Sequence, residues 1–190
     1  LAADGKVRAE AGVSHTQITR FCAEHARACR EFGVGIPGSV GGWIAMNAGI
    51  QGREMKDVVA CIELYEPERS AIVVRDRDEL VFRYRATELP AGAVVLSATF
   101  RTQPGDPGQI RERQRTYLAQ RRATQPIDQP SCGSVFKNPP GDFAGRLIEA
   151  AGLKGAREGA AQISELHANF IVNCGGASAV GWRSISSSLP

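Results

Sequence analysis

The stretch GIPGSVGGWIAMNAGIQG, residues 35–52, carries most of the fold information in this chain. Gly35, Gly38, Gly41, Gly42, Gly49 and Gly52 crowd into it, with Pro37 to fix one turn and Asn47 to add a side-chain amide. Glycine lets backbone N–H groups approach an anion with no Cβ in the way, and it accepts positive φ. A helix beginning in such a loop would add a favourable dipole. The stretch is equally what a tight irregular turn packed on a sheet would look like. It matches neither GxGxxG after a strand nor the P-loop with its Lys and Ser/Thr. The residues by themselves leave both readings open.

Working outward, residues 6–11 alternate as a strand does, and a helix is expected over 15–32. Ser14 and Gln17 have capping-box spacing, Ile18, Phe21, Cys22 and Cys29 repeat at helical intervals, and Gly33 can close the end. Downstream, strands are expected over 58–66, 71–75 and 94–101, with a turn over 67–70. Phe82, Tyr84 and Arg85 lie in a short aromatic segment beside the expected sheet edge. The breaker cluster QPGDPGQ, residues 103–109, suggests a domain boundary. A charged surface helix follows over 108–123, then an extended loop over 126–132. Asp142 is expected to cap a helix reaching Ala151, with Phe143, Leu147 and Ile148 inward. Residues 168–173 read as a strand, and the Ser/Gly-rich tail after Gly175 as irregular.

The composition is that of an ordinary soluble domain, 43% apolar and 23% charged. A formal charge of +3 suits an anionic small molecule and gives no reason to invoke nucleic acid. No run of about 18 apolar residues exists, so no membrane helix is expected. The first residues lack the apolar region of a signal peptide, and with no initiator Met the chain is expected to begin inside a longer protein. Cys22, Cys29, Cys61, Cys132 and Cys174 form no CxxC pair, and His15, His25 and His167 are scattered. Free thiols in a reducing cytoplasm, with no metal site, are the expectation.

Two longer stretches carry a family resemblance. GIPGSVGGWIAMNAGIQGREMKDVV, residues 35–59, resembles the second half of the flavin-binding domain of the vanillyl-alcohol-oxidase/PCMH superfamily. SCGSVFKNPPGDFAGRLIEAAGLKG, residues 131–155, with AQISELHANFIVN, residues 161–173, resembles the UDP-N-acetylenolpyruvoylglucosamine reductase (MurB) family, in the form lacking a tyrosine loop. The resemblance covers nearly all of residues 6–173. It implies an α+β fold: the second lobe of an FAD-binding domain over 1–102, a small α+β substrate-binding domain over 105–175, and an irregular tail over 176–190.

It also implies a chemistry. In this family NADPH reduces FAD, and the flavin hydride reduces the enolpyruvyl ether of UDP-N-acetylglucosamine to the lactyl ether of UDP-N-acetylmuramate, in peptidoglycan synthesis. Negative charge builds on the enolate, so a fixed cation and a placed acid are needed. Arg85 matches the family's catalytic arginine and Ser134 its proton donor. Gly35, Ile36, Pro37, Gly38, Ser39, Val40, Gly41, Gly42, Asn47, Gly49 and Gly52 are the implied FAD contacts. Asn138 matches a substrate contact, and Lys137, Arg121 and Gln162 are candidates for the UDP-sugar. Arg122 could share that role, or simply face solvent. Read as residues alone, Arg85 is equally a surface arginine at a strand end and Ser134 a turn hydroxyl. Cys132 reads as packing and His167 as a structural histidine. A cytoplasmic protein, monomeric when complete, is expected, with neither nucleic acid nor membrane as partner.

The chain departs from the family in two places. The first flavin lobe should precede Leu1, and a C-terminal catalytic glutamate should follow the chain's end. Neither Glu149 nor Glu165 matches that glutamate's context. The isolated chain is therefore expected to bind FAD weakly or not at all and to turn over poorly. A non-catalytic flavin- or nucleotide-sugar-binding remnant is the competing expectation.

Overall fold

The computed structural model describes residues 1–28, 33–50 and 52–187. It divides into two compact units, 1–118 and 119–190.

The first unit is built on antiparallel pairing. Strand β1 (Val7–Glu10) is followed by helix α1 (His15–Glu24), strand β2 (Arg27–Ala28) and helix α2 (Val40–Ala45). Two short strands, β3 (Gly49–Ile50) and β4 (Arg53–Glu54), form a hairpin. Strands β5 (Val59–Glu66) and β6 (Ala71–Asp76) form a longer one, and β7 (Phe82–Arg83) with β8 (Ala86–Thr87) a third. Strand β9 (Val94–Phe100) then inserts between β1 and β5, giving a four-stranded sheet in the order β1-β9-β5-β6. Strand β10 (Gln103–Pro104) pairs with β2, and helix α3 (Pro107–Thr124) follows.

One face of that sheet contributes Val7, Val59, Ile62, Leu64 and Phe100 to a core closed by Ile18 and Cys22 of α1 and by Val40, Trp43 and Ile44 of α2. Full burial of side chains this size stabilises by about 1.5–3 kcal/mol each before entropy is charged against it. That is what fixes α2, and the glycine-rich loop ahead of it, on the sheet.

In the second unit, β11 (Ser131–Ser134) precedes α4 (Ala144–Ala150), β12 (Arg157–Glu158), β13 (Ala161–Ile163), β14 (Phe170–Asn173) and α5 (Ala179–Ser187). The sheet order is β11-β14-β13-β12, all antiparallel. Ala161, Ile163 and Ile171 point to the face where Ile148 of α4 and Ile185 of α5 complete a core.

Several expectations need correction. The capping box at Ser14 and Gln17 is present, with Ser14 N–H donating to Gln17 Oε1 at 2.9 Å. The helix it opens stops at Glu24, however, because Ala26 turns left-handed (φ 51) and Arg27–Ala28 leaves to pair with Gln103–Pro104. The rest of that expected helix, Cys29 included, lies outside the described residues. Ile148 is buried as expected, but Phe143 and Leu147 face solvent, and Ala144 takes the inward place beside Ile148. Its first amide is capped by Asn138, whose Oδ1 accepts from Ala144 N–H at 3.1 Å; Asp142 instead takes Phe143 N–H and Arg146. The tail is not irregular: Ala179–Ser187 is a helix on β12 and β13, anchored by Ile185. The two compact units divide inside α3, after the breaker cluster, and Ile110 near the helix start is buried beside Gly105.

Candidate functional site

Apolar anchors decide the conformation of the glycine-rich segment. Ile36, Val40, Trp43 and Ile44 are buried, and Trp43 Nε1–H donates to the Pro37 carbonyl at 3.1 Å, bracing the loop from beneath. Pro37, Gly38, Gly42 and Met46 are left on the outside, Met46 with 48% exposure.

The glycines have different reasons. Gly35, Gly38 and Gly52 take positive φ. At Gly49 a Cβ would lie 2.0 Å from the Arg53 carbonyl oxygen across the β3–β4 hairpin, and at Gly41 one would lie 2.9 Å from Ala11 Cβ. Packing thus accounts for those two without any ligand. Gly42 is left over. It sits inside α2 with no unusual φ, is exposed, and has nothing within 4 Å of where a Cβ would go. Glycine inside a helix costs about 0.5–1 kcal/mol against alanine, so its bare backbone fits a face kept clear for something outside the chain.

The expected helix-start cradle is narrower than the sequence suggested. Val40 N–H and Gly41 N–H donate to the carbonyls of Val13 and Ala11, each at 2.9 Å, and those two amides serve the fold. Ser39 is the N-cap residue but makes no side-chain cap bond.

Asn47 is a buried bracket in the structure, whereas a cofactor contact was expected. It is fully buried, with φ 39. Its Nδ2 donates to Glu54 Oε2 at 2.9 Å and to the Arg83 carbonyl at 3.0 Å, and its Oδ1 accepts from Lys56 N–H at 3.1 Å. Both donors and an acceptor are used, so the side chain ties the β3–β4 hairpin to the β7–β8 hairpin.

That tie brings Arg85 to the glycine segment. Arg85 lies in the two-residue turn of the β7–β8 hairpin with φ 52, a conformation rare for a non-glycine residue and one that clusters at functional sites. Its Nη2 donates to the Gly49 carbonyl at 2.6 Å and its Nη1 to Glu54 Oε1 at 3.3 Å. The guanidinium lies 5.1 Å from the Tyr84 ring centroid, and the side chain as a whole is 30% exposed. Glu54 was missed in the sequence. A carboxylate in GREMKD looks like an ordinary surface charge, and its 16% exposure is visible only once the hairpins are folded.

In the second unit Ser134 ends β11 and is exposed. It follows Gly133 at φ 85, where the β11–β14 register shifts. A bulge of this kind re-aims a side chain. Asn169 holds the exit: its Oδ1 accepts from Phe136 N–H and its Nδ2 donates to the Phe136 carbonyl, both at 2.9 Å. Lys137 and Asn138 follow on the exposed side, with the Asn138 oxygen already engaged by α4. Gln162 lies elsewhere, in a cleft of about 310 Å³ lined by Arg122, Gln125, Asp128, Ser164 and Glu165 among others; Ser134, Lys137 and Asn138 are not among its walls. Arg122 pairs there with Asp128 at 3.3 Å. Arg121 is buried, donates to Gln125 Oε1 at 2.7 Å, and burial lowers its pKa. His167 accepts from Asn169 N–H through Nδ1 at 3.2 Å and packs edge-on to Phe170, and burial holds its pKa below the usual histidine value. These are structural contacts, in keeping with the sequence reading. Cys132 is exposed on β11 rather than packed, because the strand turns it away from the core.

Comparison with known proteins adds an independent line. A family model described as FAD binding domain matches residues 2–72, and one described as UDP-N-acetylenolpyruvoylglucosamine reductase, C-terminal domain, matches residues 125–186. The chain is 50% identical over 174 residues to UDP-N-acetylenolpyruvoylglucosamine reductase of Alkalilimnicola ehrlichii, covering 90% of this chain and 57% of that protein. It is 42% identical over 189 residues to the Geobacter metallireducens protein of the same name, covering 100% of this chain and 62% of that one. The chain therefore spans somewhat over half the length of these curated relatives. Among solved structures, the reductase of Thermus caldophilus aligns with TM-score 0.85 at 34% identity, covering 100% of this chain and 69% of that one.

Proposed function

The chain belongs to the UDP-N-acetylenolpyruvoylglucosamine reductase family, and on that premise we propose that it contributes to NADPH-dependent, FAD-mediated reduction of UDP-N-acetylenolpyruvoylglucosamine to UDP-N-acetylmuramate. The observation that carries the proposal is Arg85, a left-handed arginine pinned to the Gly49 carbonyl of the glycine-rich segment.

FAD fits the residues present. Gly42, Gly38 and Pro37 offer an exposed backbone strip beside Met46 on a rigid support. When bound there, the flavin supplies hydride chemistry, with NADPH as the source of reducing equivalents.

The protein's part is to bind and polarise. Arg85 would receive the substrate carboxylate, since a guanidinium stays charged and holds a carboxylate through parallel hydrogen bonds. Its two internal contacts fix its plane before substrate arrives, so little reorganisation remains when enolate charge develops. Ser134 would deliver the proton from the bulge after Gly133. An alcohol is a weak acid, so this step needs a polarising neighbour. Lys137 and Asn138 follow it directly in the chain and are assigned to the substrate. Gln162 and Arg122 line the separate cleft, and Arg121 is buried, so their contribution to UDP binding is indirect in this reading. A monomer in the cytoplasm, where NADPH and UDP-sugars are found, completes the reading; no helix among the described residues is long and apolar enough to cross a membrane.

The test is calorimetric binding of the enolpyruvyl substrate to the chain, with substrate-dependent NADPH oxidation in excess FAD, expected to be slow in a chain that spans somewhat over half its relatives' length, as a second readout. Arg85→Met should lower substrate-dependent oxidation by about 10²-fold or more, the scale of removing one charge stabiliser. Substrate binding and oxidation that are the same in Arg85→Met as in the parent would reject the proposal.

A further inference from the structure

The contacts behind Arg85 carry an inference that rests on the reading above and deepens it. Glu54 ends β4, immediately after the turn at Gly52. Its two carboxylate oxygens have separate partners. Oε2 accepts from Asn47 Nδ2 at 2.9 Å and lies 2.8 Å from Lys56 Nζ; Oε1 lies 3.3 Å from Arg85 Nη1. The buried Asn47 amide on Oε2 holds the carboxylate, so the place of Oε1 is set before Arg85 meets it. Asn47 is in turn locked by Lys56 N–H and the Arg83 carbonyl.

Arg85 is thus held at two points on the same guanidinium, by Glu54 at Nη1 and by the Gly49 carbonyl at Nη2. Two anchors on a planar group define its plane as well as its position, and a guanidinium has more N–H donors than these two contacts consume. The remaining donors make no hydrogen bond among the described residues and can meet a carboxylate. The counter-charge also offsets the cost of partly burying the Arg85 side chain, which is 30% exposed.

We propose that Glu54, oriented by Asn47, is the positioning residue that aims Arg85 at the substrate carboxylate. Glu54 touches neither substrate nor cofactor in this scheme; it acts through Arg85. Lys56, 43% exposed on the far oxygen, is a surface partner and not part of the device.

The experiment is side-chain ¹⁵N relaxation of the Arg85 Nε–H in the unliganded chain. In the parent chain the order parameter should be that of a rigid group, about 0.8, and in Glu54→Gln it should fall below about 0.6. Exchange of the Arg85 guanidinium protons should quicken by about tenfold or more, the scale of one charge-assisted hydrogen bond. Lys56→Met should leave both readouts at the parent values. If Glu54→Gln does not fold, Glu54→Asp carries the same test, since it keeps the charge but draws the carboxylate back by one methylene, and it too should loosen Arg85. Arg85 as ordered in the folded Glu54 variant as in the parent, or loosened equally by Lys56→Met, overturns the proposal. A parallel titration of the parent with phosphoenolpyruvate, a small enolpyruvyl carboxylate, separates the two ideas. No shift of the Arg85 resonance there, with Glu54→Gln still loosening it, would sink the substrate role of Arg85 and leave the positioning role standing.

Discussion

Replacing Gly42 with alanine separates the two reasons a glycine can have. Gly42 lies within α2, its φ is unexceptional, and no atom comes within 4 Å of an added Cβ. A methyl group there meets no steric cost and buries nothing. What changes is backbone entropy, because glycine in a helix interior is about 0.5–1 kcal/mol worse than alanine. Gly42→Ala should therefore stabilise the first unit by that amount, a rise in melting temperature of roughly 2–6 °C for a unit of this size. The assay is urea and thermal denaturation followed by tryptophan fluorescence in a Trp182→Phe background. Trp43, 4% exposed in α2, then reports the first unit alone. The same substitution should weaken FAD binding, and Gly42→Val should weaken it further, because each places atoms on the strip left bare. A stability loss in Gly42→Ala would refute the reasoning outright: it would mean the fold itself requires glycine there. Stabilisation with unchanged FAD affinity in Gly42→Val would place the cofactor on some other surface.

Gly49→Ala should behave oppositely, losing about 2 kcal/mol or more in the same melt, since a Cβ would sit 2.0 Å from a backbone oxygen that cannot swing aside. Ser70→Gly should stabilise by about 0.5–1 kcal/mol, because Ser70 holds φ 47 at the β5–β6 turn, where glycine is relaxed. Asn47→Ala should destabilise by about 1–3 kcal/mol, leaving the part-buried Lys56 N–H and the Arg83 carbonyl without this partner and Glu54 short of a donor; a loss under about 0.5 kcal/mol would show that the bracket is not formed. His167 has a folded pKa below its free value of 6.5, so its neutral form stabilises the second unit above that value and the contribution fades as pH falls through it. Trp182 fluorescence melts at about pH 7.5 and about pH 5 should differ, and His167→Gln should shrink the difference. Asp142, held at about 2 by Arg146 and the Phe143 N–H, adds a similar effect between 3.8 and that value, which Arg146→Gln should shrink.

Much of the framework was legible because it is local. The capping box at Ser14 and Gln17 needs only neighbours three residues apart, and the strands at 59–66, 71–76 and 94–100 declare themselves by alternation and β-branched content. The inward place of Ile148 was legible, but the rest of the α4 face was not: Phe143 and Leu147 are at least as apolar as Ala144, and which of them turns inward depends on where Ile163, Ile171 and Ile185 stand. The helix at Ala179–Ser187 was missed for a related reason. Its serines and glycine have weak helical preference, and Ile185 stabilises it only by reaching the second core.

The glycine-rich segment divides along the same line. By itself the sequence determined that residues 35–52 must turn tightly and expose backbone, because glycine and proline act on their own φ angles wherever they stand. Tertiary structure alone decided which glycines serve the fold and which is left bare, that Asn47 is a bracket, and that Glu54 stands behind Arg85. A residue's φ preference is local, but its burial and its hydrogen-bond partners are set by chain brought back from 31 or 36 positions away, as Arg85 is to Glu54 and Gly49.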